Sequence, residues 1–240
     1  MYSEKEKVIL EYRIELIKLK PEKGLKNVTN FRRKGSWAIK NLEPKLHVSF
    51  GNLKLPKTTC IVNLGTWLNC SGRKKGFCEL CKVCYDKSPE VRFKQRTKDR
   101  LEQEIFWRSS NANTFAKALI QEISKHKKTN LIRWAEVGEI RNQNDLKKII
   151  DVSDIVFNEL GIKSYIYTHN KNLDFDIERP NLTINGSGFM VDNEYKVVKD
   201  KEKEFNNLDD LSNKRECICD CNHCSYCSKK QHFTLIEEER

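Results

Sequence analysis

The hydrophobic and polar positions of the chain predict helices and strands that alternate after residue 90. Within residues 114–126, for example, Phe115, Leu119 and Ile123 fall on one face of a helix. Short apolar runs between the helical stretches predict strands. The predicted helices span residues 91–107, 114–126 and 145–160, and the predicted strands span residues 46–55, 130–135, 164–168 and 181–185.

Two of these helices carry recognisable end signals. Asn113 or Thr114 is the predicted N-cap of the second helix, and Gly161 is predicted to close the third. Alternating helices and strands predict parallel strands joined by right-handed crossovers. The predicted fold class is therefore α/β, either a partial parallel barrel or an open α/β layer. Cysteine-rich metal or cluster loops are predicted near its start and at its C-terminus.

The remaining segments lack this alternation. Residues 4–20 fit a helix or an edge strand equally well, and residues 58–86 have the glycines and cysteines of a loop organised by a ligand. Charged and amide side chains crowd the stretch that begins at residue 191, which predicts irregular structure. The predicted organisation is a charged extension over 1–45, an α/β core over 46–190, an irregular segment over 191–216 and a cysteine-rich segment over 217–240.

Polar residues follow several of the predicted strands. Ligands of parallel sheets bind beyond the carboxyl ends of the strands. Glu136 and Glu139 follow one strand, and His169 follows the next. We therefore predict Glu136, Glu139 and His169 as catalytic residues at one rim; alternatively, these side chains cap helices or face solvent.

Eight of the ten cysteines lie in two short runs, and each run contains the pattern C-x2-C-x2-C. A chain that curls around a cubane can place successive thiolates on its iron corners, whereas most structural zinc sites use two separated C-x2-C pairs. The first run favours an iron–sulfur cluster over zinc, and the second leaves the two metals nearly even. The candidate ligands are Cys70, Cys78, Cys81, Cys84, Cys217, Cys219, Cys221, Cys224 and Cys227.

Composition bounds the location and partners of the protein. The first residues lack the apolar stretch of a signal peptide, and no run reaches the ~18 apolar residues of a membrane span, so we expect a cytosolic protein without a membrane partner. Thiols in that compartment bind metal more often than they form disulfides. The net charge of +11 is concentrated in residues 73–100, which makes nucleic acid a candidate partner; an ordinary solvated helix face is the alternative.

Several motifs in this order carry a resemblance to a known family. They run from Gly51-Asn52-Leu53-Lys54-Leu55 through Cys81-Lys82-Val83-Cys84-Tyr85, Arg133-Trp134, Gly138-Glu139 and Tyr165-Ile166-Tyr167-Thr168 to residues 181–187 and 221–227. Over about residues 46–227 the chain resembles the phage gene-product-eighty-eight family. It is more loosely similar to radical S-adenosylmethionine proteins.

The looser resemblance implies a partial α/β barrel, a cysteine loop after the first strand, and a Gly-Glu pair that holds the methionine moiety. The candidate cofactor-binding residues are Gly138, Glu139, Asn185 and Ser187. That superfamily usually has C-x3-C-x2-C, one residue more than is present here. If no fourth protein ligand completes the set, S-adenosylmethionine binds the open iron. If Cys60 or Cys70 completes it, the cluster is structural or transfers electrons.

The leading interpretation is a cytosolic iron–sulfur protein of phage or mobile-element type with one or two 4Fe-4S clusters. It is either a radical S-adenosylmethionine-like enzyme or a redox protein. The alternative is a zinc-organised basic protein that binds nucleic acid without catalysis. A third interpretation gives the clusters a purely architectural role in an accessory protein.

Overall fold

A computed structural model describes residues 2–22, 25–78, 84, 87–200, 202, 205 and 213–238. The helices are α1 (Glu4–Lys18), α2 (Val28–Ala38), α3 (Ser71–Lys75), α4 (Lys87–Arg92), α5 (Lys94–Ser109), α6 (Ala112–Ser124) and α7 (Gln143–Leu160). The strands are β1 (Val48–Phe50), β2 (Thr59–Val62), β3 (Leu131–Trp134), β4 (Lys163–Thr168), β5 (Leu182–Ser187), β6 (Asn193–Val198), β7 (Lys214–Glu216) and β8 (Thr234–Glu238).

The eight strands of the described residues join one open sheet in the order β1-β2-β3-β4-β5-β6-β8-β7. β1 pairs antiparallel with β2, and every other neighbouring pair is parallel. From β2 to β6 the strands lie side by side in chain order, as they would in a barrel that has been opened. The predicted α/β class with an open layer is thus confirmed, and the sheet does not close.

Helices α6 and α7 pack on one face of the sheet and form the main core. Cys60, Ile132, Trp134 and Ile166 of the strands meet apolar side chains of these helices, because alternate strand residues point to the same face. Asn111 caps α6, accepting a hydrogen bond from the Thr114 amide. The predicted cap at Asn113 or Thr114 was therefore wrong by two or three residues.

The N-terminal segment forms a second core. Ser3 and Glu6 form a capping box at the start of α1, which resolves the ambiguity of residues 4–20 in favour of a helix. Tyr12 and Leu16 of α1 pack with Phe31 of α2 and residues of α5. This helical unit encloses Trp67 of the loop after β2, so it supports the segment that leads to the first cysteine run.

Three elements lie where the sequence predicted irregular structure. β2 lies within the predicted loop 58–86, and its four residues are all buried. A four-residue strand buried on both faces has no polar alternation, which is why the pattern did not reveal it. β6 and β7 lie within the predicted irregular segment 191–216. Elsewhere the helix closed by Gly161 was predicted correctly, with φ of 69° at that glycine.

Among the described residues, the helices are too short or too polar to cross a membrane.

Candidate metal centres

The ends of three neighbouring strands build the first region. Glu139 follows β3, and its carboxylate accepts hydrogen bonds from the Thr168 hydroxyl at 2.7 Å, the His169 amide at 2.9 Å and the Ile140 amide at 2.8 Å. The His169 ring lies 3.6 Å from the same carboxylate. Two of the predicted catalytic residues, Glu139 and His169, are thus in contact at the carboxyl edge of the sheet.

Two cysteines of the loop after β2 reach this pair. Cys70 precedes α3, and the Cys78 amide donates to the Gly72 carbonyl at 3.3 Å, which folds the loop back on itself. Burial opposes the charge on His169, but hydrogen bonds with Cys78 and Glu139 raise its pKa to about 9. Burial, followed by the charges of Glu139 and Cys78, raises the pKa of Cys70. The region therefore joins two thiols, a carboxylate and an imidazolium.

The other cysteines near this loop take different positions. Cys84 is half-buried against the helical N-terminal core. Cys81 lies outside the described residues. Cys60 is fully buried in the main core, where burial and then the charge of Glu122 raise its pKa to about 12. Of the two cysteines proposed as a fourth ligand, Cys70 therefore lies beside Cys78, whereas Cys60 is a core residue.

Glu136 and Gly138 are occupied by contacts within the chain. Glu136 accepts a hydrogen bond from the Asn52 side chain, which belongs to the loop between β1 and β2. Gly138 has φ of 89°, and a Cβ there would lie 2.8 Å from the backbone nitrogen of Gly65. The glycine is needed for close packing of two loops of this chain. The catalytic role of Glu136 and the cofactor-binding role of Gly138 stay predictions.

Asn185 and Ser187 lie on β5. Asn185 is fully buried, and its amide donates to the carbonyls of Ile166 at 3.2 Å and Cys227 at 2.9 Å. Its oxygen accepts from the Asn193 amide at 3.0 Å. Ser187 ends the strand and is half-buried. Asn185 therefore fastens the C-terminal segment to the sheet, and its cofactor-binding role stays a prediction.

The second cysteine run covers the sheet face opposite α6 and α7. The Tyr167 hydroxyl lies 2.5 Å from the Cys227 sulfur, and the Thr183 hydroxyl donates to the Ser228 carbonyl at 3.2 Å. The Cys221 amide donates to the Lys54 carbonyl at 3.1 Å. Strands β4 and β5 and the loop before β2 thus hold this segment in place.

A cationic side chain sits beneath part of this run. The Arg133 guanidinium lies 4.5 Å from the centre of the Tyr167 ring and 5.5 Å from that of Tyr165. Burial raises the pKa values of Cys221 and Cys227, and the charge of Arg133 opposes that rise. The arginine therefore favours the thiolate form that metal ligation requires.

The beginning of the second run has different neighbours. The sulfurs of Cys217 and Cys219 are 3.9 Å apart, and a carboxylate oxygen of Glu237 lies within 4.8 Å of both. Burial and then a hydrogen bond with Glu237 raise the pKa of Cys219 to about 12. His223 instead pairs with Asp220 at 2.8 Å and is exposed, as a solvent-facing loop residue would be.

Much of the positive charge in residues 73–100 is paired. The ion pairs are Arg73–Glu15, Lys74–Glu11, Lys87–Glu22, Lys98–Glu102 and Arg100–Glu90. Arg92, Lys94 and Arg96 are exposed, and no carboxylate of the described residues forms an ion pair with them. Five of the nine described cations in this stretch are therefore engaged in ion pairs.

Sequence reasoning missed the contacts of Arg133, Tyr167 and Glu237 with the second run. Arg133 and Tyr167 occupy the same face of adjacent strands, a placement that needs the register Arg133↔Tyr165. Glu237 lies on β8, for which no strand was predicted. The run of Thr234, Leu235 and Ile236 was a short strand signal that could have been followed.

The open, mostly parallel sheet, with groups of cysteines near its carboxyl edge and over one face, defines a cysteine-rich α/β protein. The chain belongs to the Gene product 88 family, whose model matches residues 19–230. This confirms the resemblance drawn from the sequence, and the match also takes in α2. No curated protein and no solved structure matches the chain.

Proposed function

We propose that the protein is a cytosolic iron–sulfur protein whose first cysteine run holds a 4Fe-4S cluster. Cys78, Cys81 and Cys84 supply three thiolates in this proposal, and Cys70 supplies the fourth. A cluster held by four thiolates supplies one-electron transfer. The observation that carries the proposal is the meeting of Cys70 and Cys78 with His169 and Glu139 beyond the carboxyl ends of the strands.

The donor set fits such a cluster. None of the nine described cysteines forms a disulfide, so each described candidate ligand retains its thiol. Burial disfavours an isolated thiolate at Cys70, and a cationic cluster iron in place of the proton removes that penalty. The His169 imidazolium beside Cys78 provides a positive charge and a hydrogen bond, both of which tune cluster potential.

The same contacts bear on the choice between a redox protein and a radical S-adenosylmethionine-like enzyme. Glu139 already accepts three hydrogen bonds from the chain, and Gly138 is packed against the loop at residue 65. Neither residue has the open position that a bound methionine moiety would need. The geometry therefore favours electron transfer over the radical enzyme.

Iron and acid-labile sulfide analysis of anaerobically purified variants tests the proposal. We expect Cys78→Ala and Cys84→Ala to lose the iron of this cluster together with its sulfide. Cys60→Ala, which alters a cysteine of the main core, should keep both. Iron content that is unchanged in Cys78→Ala and Cys84→Ala would overturn the proposal.

The two forms of the proposal are separated by electron paramagnetic resonance of the reduced protein with and without S-adenosylmethionine. A signal that the cofactor leaves unchanged supports the four-thiolate redox cluster. A signal that changes in the wild-type protein contradicts Cys70 ligation and supports the radical enzyme. If Cys70 is the fourth ligand, the signal of reduced Cys70→Ala should differ from that of the wild-type protein even without the cofactor, because one iron loses its thiolate.

A second candidate function, binding of single-stranded nucleic acid, rests on one surface. Phe93 is 61% exposed, and it is flanked in sequence by Arg92, Lys94 and Arg96, which form no ion pair within the described residues. Lys94 lies 4.3 Å from the centre of the Trp37 ring. Interleaved aromatic and basic side chains bind single strands by stacking and phosphate contact.

Fluorescence anisotropy with a labelled single-stranded oligonucleotide tests this candidate at several salt concentrations. Base stacking on one aromatic is worth about 1–3 kcal/mol, so Phe93→Ala should weaken binding by about 5-fold or more. Tyr2→Ala is the matched control, because Tyr2 is similarly exposed at 65%. Equal affinity of the two variants would refute a stacking role for Phe93.

A further inference from the structure

The two ends of the second cysteine run differ in their surroundings. Cys217 and Cys219 follow β7, and the Cys217 amide donates to the Ile236 carbonyl of β8 at 2.9 Å. Cys221 and Cys227 instead lie near Arg133. The run therefore divides into a pair of thiols at the β7–β8 edge and a C-x2-C-x2-C group over β4 and β5.

The separation of the first two thiols matches ligation of one ion. Two sulfurs that each lie ~2.3 Å from a tetrahedral zinc are ~3.8 Å from one another. The observed separation of the Cys217 and Cys219 sulfurs is 3.9 Å. A disulfide would require about 2.05 Å, so the two thiols are not bonded to each other, and their separation is compatible with a shared ion.

Glu237 supplies a third donor from a separate strand. One of its carboxylate oxygens lies with the two sulfurs in a group whose members are all within 4.8 Å of one another. All three residues are half-buried, so solvent reaches the group while the strands fix it. The two cysteines follow β7, whereas Glu237 lies on β8. The three donors are therefore brought together by the pairing of these two strands.

The backbone at Cys219 gives independent support. Cys219 has φ of 55°, a left-handed conformation that non-glycine residues seldom adopt. Such strain persists where the surrounding structure holds it, and it is concentrated at functional sites. Here it turns the chain so that two cysteines separated by one residue place their sulfurs together.

We propose that Cys217, Cys219 and Glu237 bind one zinc ion, with water as the fourth ligand, separately from Cys221, Cys224 and Cys227. Thiolates select zinc over magnesium and calcium, and two thiols with one carboxylate are too few to hold a cubane. The second run has five thiols, one more than the four that a single zinc ion or cubane binds. The assignment accounts for this excess. Three remain, in the same C-x2-C-x2-C spacing as the first run.

Two neighbours of Glu237 offer a purely structural role instead. Lys54 lies 3.6 Å from one carboxylate oxygen, and the Tyr195 hydroxyl donates to the other. If Glu237 served only to make these two contacts, substitution of Glu237 would change the stability of the protein without changing its metal content. The test must therefore read the metal directly.

Zinc affinity and cobalt spectroscopy supply that test. The full-length protein is stripped of metal and titrated with zinc, and then with cobalt, whose absorption reports thiolate number and geometry. Glu237→Gln should weaken zinc binding at this site by at least ~10-fold, because removing even an outer-shell partner of a metal ligand has such an effect. Glu238→Gln is the matched control, since Glu238 is the neighbouring exposed carboxylate.

Two further variants define the set of ligands. Cys217→Ser should remove the cobalt charge-transfer band of this site, whereas Cys224→Ser should leave that band in place. Equal zinc affinity in Glu237→Gln and Glu238→Gln would overturn the proposal, and so would loss of the same zinc in Cys224→Ser. Because Glu237→Gln retains every thiol, the test holds even if Cys217→Ser fails to fold. Iron at the first run is counted separately, so failure of this zinc site leaves the cluster proposal standing.

Discussion

The two cysteine runs meet the same sheet in different ways. The first run reaches the carboxyl edge on a loop, where Cys78 forms a hydrogen bond with His169, and the His169 amide donates to Glu139. The second run lies across a sheet face and is fastened by Thr183 and Asn185, whose side chains donate to its backbone carbonyls. Thiols of equal spacing thus lie at the edge of the sheet in one place and across its face in the other.

This difference shows that the spacing of the cysteines does not by itself determine the function of a cysteine run. Both runs contain C-x2-C-x2-C, yet the first is adjoined by an imidazolium and a carboxylate, and the second by Arg133 and two tyrosines. In the proposed account, a cluster at the first run lies beside groups that carry protons, and a metal at the second run adds to the hydrogen bonds that hold the C-terminal segment on the sheet. Perturbing the support of each region should therefore give different results.

The greatest loss of stability is predicted for the helical N-terminal core, which supports the loop of the first cysteine run. Glu90 is fully buried, where it accepts hydrogen bonds from Arg100 at 2.6 Å and from the Trp67 amide at 2.8 Å. Arg100→Met leaves that carboxylate without its buried cation, which costs about 3–5 kcal/mol. Denaturant unfolding of the variant measures the loss, with Arg92→Met as the exposed control. A loss below 1 kcal/mol would show that the pair is not a support.

A smaller loss of stability is predicted at Asn185, which attaches the second cysteine run to the sheet. Asn185→Ala removes the amide that joins Ile166, Cys227 and Asn193, and buried unsatisfied groups cost about 1–3 kcal/mol each. We expect faster alkylation of Cys221, Cys224 and Cys227 by iodoacetamide, measured by mass spectrometry, while labelling of Cys78 stays constant. Ser187→Ala on the same strand is the control. If alkylation became equally faster at all cysteines, the variant would be unfolding globally. That result would contradict the view that Asn185 holds the second cysteine run independently of the first.

The smallest predicted change in stability is a pH dependence caused by Glu11. Burial opposes ionisation of Glu11, but Arg108 and Lys74 lower its pKa to about 2, and these contacts join α1 to α5 and α3. Because the folded pKa is below the ordinary value, the ionised carboxylate stabilises the fold above pH 4.5 and loses that effect as the pH falls towards 2. Solvent screening limits the contribution to about 1 kcal/mol.

Glu11→Gln should therefore be less stable than wild type at pH 7 and indistinguishable from it near pH 2, in urea unfolding curves. Glu159→Gln, at an exposed carboxylate, provides the comparison. A Glu11→Gln difference that persists undiminished at low pH would contradict the ion-pair origin of the effect.

The sequence predicted the parallel core well where elements are long or clearly periodic. Helix α7, its glycine cap and strand β4 lie close to their predicted bounds, and strand β3 does too. Short strands were missed because a three- or four-residue run carries little periodic signal. β2 was hidden inside the cysteine loop, and β7 inside a charged stretch.

The candidate sites were predictable in their cysteines and less so in their partners. Residues after parallel strands meet at one edge, and this rule led to Glu139 and His169, which are in contact. It also led to Glu136, which instead bonds to Asn52. Glu237 could not be found this way, since its approach to Cys217 depends on pairing of β7 with β8 across a long stretch of chain.

The most direct test of the central claim is metal and sulfide analysis of the anaerobically purified protein beside its Cys78→Ala variant. The account predicts iron with matching sulfide and zinc in the wild-type protein. In the variant it predicts loss of the iron and sulfide of the first run, with the zinc retained. Colourless wild-type protein that carries zinc alone would contradict the account and favour a zinc-organised binding protein.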